Sequence, residues 1–366
     1  VQTLLIVLGW VFGTLLSILL VMYVVFVIDA ALSRRTMRTE VSAPLLQPLS
    51  VGGGTRVLVV YLPGILARTA DKPRVFYDAL AAGLRGTTAD LLALDYTGEA
   101  FDPSATIAQV CDRIEGVLGR PDNGRYHKLL LVGESLGGRM VNLVMDELQA
   151  RGCADKLVQP VIIDAPMDYR DFAAGGDTLA MVLRYVPMGR LVNHLGLADR
   201  LFTQPAGLPQ AKNIANAGDM LNMSYGNALT YEQYVAWVQL CARRGLSGHR
   251  FSVYRDQLVA MTRLPWGSDV FAKRPPIYLV CTSEDTPAAW HEYTQPVSVM
   301  LDGTCPLERP VNATIKQPEA VKRWKTVVPA MVNWDVRVVR STHCGYMERP
   351  LAWRNALADA VSDAIG

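Results

Sequence analysis

The chain is short of charge, and nowhere more so than at its start. Only 19% of its 366 residues are charged, the net charge is +2, and no charged residue occurs between Val1 and Ile28. So small a basic excess excludes the electrostatic footprint of a nucleic-acid-binding protein. Cysteine is sparse too. The six cysteines (Cys111, Cys153, Cys241, Cys281, Cys305, Cys344) include no CxxC pair. That argues against a zinc centre or a dithiol redox site, and such scattered residues in a large chain read as free thiols. Histidine is rarer still, with five in all, which leaves few choices wherever the chemistry needs an imidazole.

What the first residues do have is apolar length. Leu4–Ile28 is almost wholly aliphatic or aromatic. As a helix this run is about 37 Å long, enough to cross a hydrocarbon layer of about 30 Å with some tilt. A cleaved signal peptide fits less well, since the basic n-region is missing, the run is too long and no A-x-A site follows. Residues 1–28 are therefore expected to be a retained transmembrane helix. Arg34, Arg35 and Arg38 follow it and nothing basic precedes it, so the positive-inside rule puts the following domain in the cytoplasm.

Residues 29–54, with Pro44, Pro48 and Gly52-Gly53-Gly54, read as a linker ending in a turn. The three glycines precede a strand and lack the Lys-Ser/Thr of a P-loop, so they do not signal a phosphate site. Then an alternation begins. Val57–Leu62, Asp90–Leu94, Lys128–Val132 and Leu157–Asp164 are short apolar runs of strand type. Helical stretches separate them near Arg74–Leu84, Thr106–Leu118 and Leu136–Gln149. Continuous apolar strands between helices are what a parallel sheet covered on both faces requires. The alternation stops at Ala165, gives way to a helix-rich stretch, and resumes at Pro276–Thr282 and Val336–Val339 before a last helix at Leu351–Ile365. The expected plan is a mostly parallel, doubly wound α/β sheet, with core segments 55–164 and 275–366 and a helical cap inserted at 165–274.

One motif stands where that plan gives it meaning. Gly133-Glu134-Ser135-Leu136-Gly137 matches G-x-S-x-G, with the strand KLLLV running into it and a helix starting after it. A nucleophile on so sharp a turn needs glycines two residues before and after it, because larger side chains would collide with the neighbouring strand and helix.

This string, GESLGG with Gly138, resembles the nucleophile elbow of α/β-hydrolase lipases, esterases and thioesterases, and the likeness covers about 55–366 apart from the insertion. The resemblance implies a serine hydrolase without cofactor or metal, whose partners follow in the order Ser, acid, His. His343, after the last strand in VRVVRSTHCGYMERP, occupies the place of the base that takes the Ser135 proton. Asp285, just beyond PIYLVCT, occupies the place of the acid, with Glu284 beside it and Asp164 at the end of the preceding strand as rivals. The wide separation of Asp285 and His343 suggests a second insertion around Ala288–Val311. The oxyanion hole is expected from the backbone N–H groups of Leu136 and of Ile65 in Leu62-Pro63-Gly64-Ile65, where Pro63 stands in place of the family's usual His.

The insertion bears on substrate. Six of the thirteen methionines (Met167, Met181, Met188, Met220, Met223, Met261) fall in 165–270, with Tyr225, Tyr231, Tyr234 and Trp237. Such apolar, adaptable side chains suit an acyl pocket, although they also suit the cap's own core. The expected activity is hydrolysis of acyl esters or thioesters of lipid type next to a membrane. Two other readings stay open: acyl transfer through the same residues, and a non-catalytic subunit of a membrane complex built on this scaffold.

Overall fold

The computed structural model describes residues 2–65, 67–69, 72–119, 126–166, 184–185, 187, 189–195, 251–266, 269–282, 326, 328, 333–340, 346 and 350–366. Helix α1 (Gln2–Ser33) comes first, about two turns longer than the apolar run that predicts it. Its side chains are exposed over almost all its length, and Leu5–Ser33 is long and apolar enough to cross a membrane, with a mean hydropathy of 2.8.

Beyond it lies a seven-stranded sheet among the described residues, in the order β1-β3-β2-β4-β5-β6-β7. The strands are β1 (Val41–Ser50), β2 (Arg56–Leu62), β3 (Thr88–Tyr96), β4 (Lys128–Glu134), β5 (Val161–Ile163), β6 (Ile277–Thr282) and β7 (Asp335–Arg340). All neighbours are parallel except β1 and β3. Residues 41–50 correct the expectation of a linker over 29–54. They form an edge strand, where prolines are tolerated because the lost N–H can face outwards. Pro44 falls in one irregularity of the β1/β3 register, between Ser42 and Leu45, and Pro48 borders the other.

The helices follow from the strand order. The path β2–β3 runs towards β1, whereas β3–β4 returns past β2. Since parallel crossovers are right-handed, α2 (Arg74–Gly83) and α3 (Pro103–Leu118) lie on opposite faces. Helix α4 (Leu136–Ala150) joins α3 on its face, and the terminal helix α8 (Pro350–Ile365) packs on α2. At that second contact Gly83 is indispensable: a β-carbon there would lie 2.4 Å from the Ala358 carbonyl oxygen. Helix α3 starts where Pro103 follows Asp102, whose Oδ1 accepts the Ala105 N–H at 2.7 Å. Covered on both faces, Val57–Leu62 of β2 and Leu129–Val132 of β4 are buried throughout, which explains their unbroken apolar runs.

Among the described residues, three further helices belong to the stretch expected as a cap: α5 (Arg190–His194), α6 (Phe251–Arg263) and α7 (Asp269–Lys273). Val253, Tyr254, Leu258 and Met261 of α6 and Val270 and Phe271 of α7 share one core with the sheet.

Candidate active site

The strand order reverses between β2 and β4, the switch point where open α/β sheets place their ligands, outside the carboxyl ends of the strands. Leu62, the last residue of β2, pairs with Gly133 near the end of β4. Ser135 follows directly, with φ 51 and ψ −114, before α4 begins at Leu136. Among the described residues only Ser135 and Asp164 have positive φ without being glycine. A non-glycine residue in such a conformation is held there against a local cost of order 1–3 kcal/mol, and functional sites are where such costs concentrate.

The surroundings explain how the turn is held. The Ser135 N–H donates to the Ile163 carbonyl at 2.8 Å, and the Asp164 N–H donates to the Leu279 carbonyl at 2.8 Å. The two unusual residues are thus locked to successive strands of one sheet. The motif glycines are required by space. A β-carbon on Gly133 would stand 2.4 Å from Cγ2 of Val141, one on Gly137 2.1 Å from the Leu62 carbonyl oxygen, and one on Gly138 2.7 Å from Cβ of Ala165.

The two expected oxyanion donors sit on either side of this turn. Leu136 is the first residue of α4, so its N–H has no acceptor within the helix and lies at the positive end of the dipole. Ile65 belongs to the chain leaving β2. There the backbone passes so close that a β-carbon on Gly64 would be 3.2 Å from Cβ and 3.8 Å from Oγ of Ser135. Asp285, Glu284 and His343 lie outside the described residues, as do all the cap methionines named above except Met261. Asp164 is described: fully buried, beside the elbow. Of the other histidines, His127 is engaged far from the turn, its Nδ1 accepting the Arg56 N–H at 3.2 Å.

Three groups stand at the elbow in roles that the sequence did not assign them, although Met261 is among the cap methionines named above. The first is Met261, whose Sδ lies 3.8 Å from the Ser135 Oγ and accepts its hydroxyl. It is carried by α6, and the chain after α6 is fastened to α4. Arg139 donates to the Leu264 carbonyl and stacks on Trp266 at 4.4 Å, and Asn142 Nδ2 donates to the Pro265 carbonyl at 3.3 Å. Ser135 is consequently buried. The second and third are Lys72 and Tyr61, which meet at Glu134. The Tyr61 hydroxyl donates to Glu134 Oε2 at 2.8 Å, and the Lys72 ammonium bonds both carboxylate oxygens. Lys72 Nζ also lies 5.4 Å from the centre of the Tyr346 ring, three residues beyond His343. A Glu in the variable slot of the motif was the one visible signal for this cluster. Among the described residues, no group of three or more His, Cys, Asp or Glu side chains gathers as a metal site would require.

Neither a protein-family model nor a curated protein sequence matches the chain. Solved structures do resemble it in outline. Carboxylesterase CesB from Bacillus subtilis is 14% identical, with 93% of this chain and 98% of that one covered and a TM-score of 0.43. A thermophilic esterase from Thermogutta terrifontis is 13% identical, with 89% and 94% covered and a TM-score of 0.43. An alpha/beta hydrolase fold protein from Nakamurella multipartita is 14% identical, with 90% and 100% covered and a TM-score of 0.41. The functional reading rests instead on this chain's own strand order, elbow and side chains.

Proposed function

We propose that this chain, an α/β hydrolase by its fold, is a membrane-anchored serine hydrolase that cleaves acyl esters or thioesters through Ser135. The observation that carries the reading is the conformation of Ser135, held at positive φ between β4 and α4 at the switch point of the sheet. A serine with a purely structural task gains nothing from so costly a backbone.

In this mechanism the Ser135 Oγ attacks the acyl carbonyl carbon while His343 takes its proton. The negative charge that develops on the carbonyl oxygen is met by the N–H groups of Leu136 and Ile65. Collapse expels the alcohol or thiol with a proton from His343 and leaves an acyl-enzyme, which water then opens by the same steps. Asp285 orients the imidazole. A second assignment gives that role to Asp164, and what favours it is its full burial and its φ of 50 beside the elbow. Acyl transfer differs only in the acceptor that opens the acyl-enzyme, so product analysis with and without added alcohol or amine separates it from hydrolysis.

The lipid character of the substrate is supported by α1, which brings the site to bilayer-partitioned molecules, and by Met261, which the amphipathic helix α6 sets against Ser135. The arginines that follow α1 favour a catalytic domain on the cytoplasmic side. The deciding experiment is labelling with a fluorophosphonate serine probe. The wild-type chain is expected to label and Ser135→Ala to remain unlabelled although folded. Equal labelling of both would remove Ser135 from the mechanism. The lipid reading has its own test in kcat/KM across thioesters of two to sixteen carbons, kept monomeric. Each buried methylene contributes up to about 0.8 kcal/mol, or about fourfold per carbon, until the pocket is full. A maximum at acetyl would sink the lipid reading and leave the serine hydrolase intact.

A further inference from the structure

The end of α1 does not simply lead into the domain; it holds another part of the chain. Asp29, the first charged residue, accepts the Leu191 N–H on Oδ2 at 3.0 Å. One turn later Ser33 Oγ accepts the Arg190 N–H at 3.0 Å. Gly189 is pressed so close that a β-carbon there would lie 2.1 Å from Asp29 Oδ2. Helix α5 therefore begins on the last turn of α1. From there it is tied to the hydrolase core, since Arg190 pairs with Glu99 at 3.0 Å and the Glu99 carbonyl accepts the Ser252 hydroxyl at 2.8 Å at the start of α6.

These contacts fix a depth. If the apolar run that ends at Ile28 fills the hydrocarbon layer, Asp29 lies about 1.5 Å and Ser33 about 7.5 Å beyond its edge. The polar layer on each side of a bilayer is about 5–8 Å thick. The start of α5 is thus at headgroup level, whatever the tilt of α1. What the segment shows to its surroundings fits that place. Leu191 of α5 and Leu195 just past its end, four residues apart and joined by the Leu195 N–H to the Leu191 carbonyl, are exposed, Tyr185 is 69% exposed, and Leu32 of α1, next to Ser33, is exposed as well. Basic groups accompany them: Arg34, Arg35 and Arg184 are exposed, and the Arg184 guanidinium sits 5.3 Å over the Tyr185 ring. Apolar side chains, an interfacial aromatic and arginines together are the chemistry of an element lying in an anionic headgroup layer.

We propose that Arg184, Tyr185 and residues 189–195 form a second membrane contact, which docks on anionic phospholipid headgroups of the leaflet from which α1 emerges. Docked there, the segment fixes the helical part of the molecule against the bilayer, so the domain holds one orientation instead of swinging on a flexible tether. Through Glu99 and Ser252 the contact reaches α6, the helix whose Met261 covers Ser135. The inference rests on the reading of α1 as a membrane span.

The test uses the full-length chain in nanodiscs of phosphatidylcholine, with or without phosphatidylglycerol, carrying the photocrosslinker p-benzoylphenylalanine in place of one residue at a time. Leu16, within α1, reports on the span. Val51, 90% exposed after the far end of β1, reports on ordinary solvent. Lipid adducts are expected at Leu16, Tyr185, Leu191 and Leu195 and not at Val51, with yields at the three docking positions rising several-fold when phosphatidylglycerol is present. The combined variant Arg34→Gln, Arg35→Gln and Arg184→Gln should abolish that rise while leaving the Leu16 yield unchanged. Adducts at Leu16 without any at Leu191 and Leu195 would overturn the docking surface and leave the span standing. Adducts to a second protein chain at those positions would overturn it in favour of self-association. Indifference to phosphatidylglycerol would overturn the anionic partner. Absence of lipid at Leu16 would overturn the span and the docking surface together.

Discussion

Lys72 and Glu134 form an ion pair from which water is almost excluded, with 9% and 6% of their side chains exposed, one residue before the elbow serine. Two charges so buried gain little over an apolar pair, but removing one of them leaves the other without compensation. Lys72→Met should therefore lower stability by about 3–5 kcal/mol, read as a fall in the urea midpoint of the detergent-solubilised chain. The double variant Lys72→Met/Glu134→Gln should regain much of that loss. A double variant as unstable as the single one would mean that the lysine contributes packing around Tyr61, Phe76 and Tyr346 and not charge.

Two glycines on neighbouring helices should respond in opposite ways to the same added methyl group. Gly137 faces the Leu62 carbonyl oxygen at the end of β2, 2.1 Å from where a β-carbon would be. Gly137→Ala forces α4 away from β2, at a cost of about 1–3 kcal/mol, and should abolish labelling by the serine probe. Gly116, inside α3, meets nothing within 4 Å. There alanine should stabilise by about 0.5–1 kcal/mol with labelling unchanged. Comparable labelling of the two variants would show that the close contact at the elbow does not govern the nucleophile.

The elbow was legible because each part of it has a local signature: a buried strand, small residues at fixed offsets, a helix start. The strands β2 and β4 announced themselves for a related reason, since a strand covered on both faces has no polar side to interrupt the apolar run. β1 did not, because its prolines and its place at the sheet edge hide the pattern. The Lys72–Glu134 pair joins residues 62 apart, and the grip of Asp29 and Ser33 on α5 joins residues about 160 apart. No spacing rule in one sequence reports such contacts. The acid and base rest on chain order alone, as Asp285 and His343 lie outside the described residues.

The identity of the acid is open to a direct comparison. With Asp285 as the imidazole's partner, Asp285→Asn should lower kcat by up to about 10⁴-fold, because the wrong tautomer of His343 is then favoured. Asp164→Asn should leave kcat within an order of magnitude, since an amide of the same shape can occupy that buried corner. Ser135→Ala and His343→Ala should each remove nearly all turnover. The reverse pattern for the two aspartates would transfer the role to Asp164.

Cys111 is buried between α3 and α4, and burial pushes its thiol up to about 12. Only the thiolate is alkylated, so at pH 8 Cys111 should resist iodoacetamide in the folded chain and react on unfolding in urea. Mass spectrometry of the digested protein reads this directly. Fast modification in the native state would show that the α3–α4 layer opens more readily than its packing implies.

Helix α1 can be cut at two places that differ only in its last turns. Deletion of residues 1–28 removes the apolar run but keeps Asp29 and Ser33 and with them the acceptors for Leu191 and Arg190. The product should be soluble, folded and reactive towards the serine probe, because the sheet begins at Val41. Deletion of residues 1–36 removes those acceptors as well. Water can replace them in part, so the expected penalty is about 0.5–1.5 kcal/mol per lost hydrogen bond, borne by α5 and not by the sheet. Limited trypsin digestion should then cut after Arg190 well before the core, whereas the shorter deletion leaves that site protected. If both truncations are digested alike, the turn beyond Ile28 has no part in holding α5. If the shorter one is already insoluble or inert, α1 is a structural part of the domain that carries Ser135.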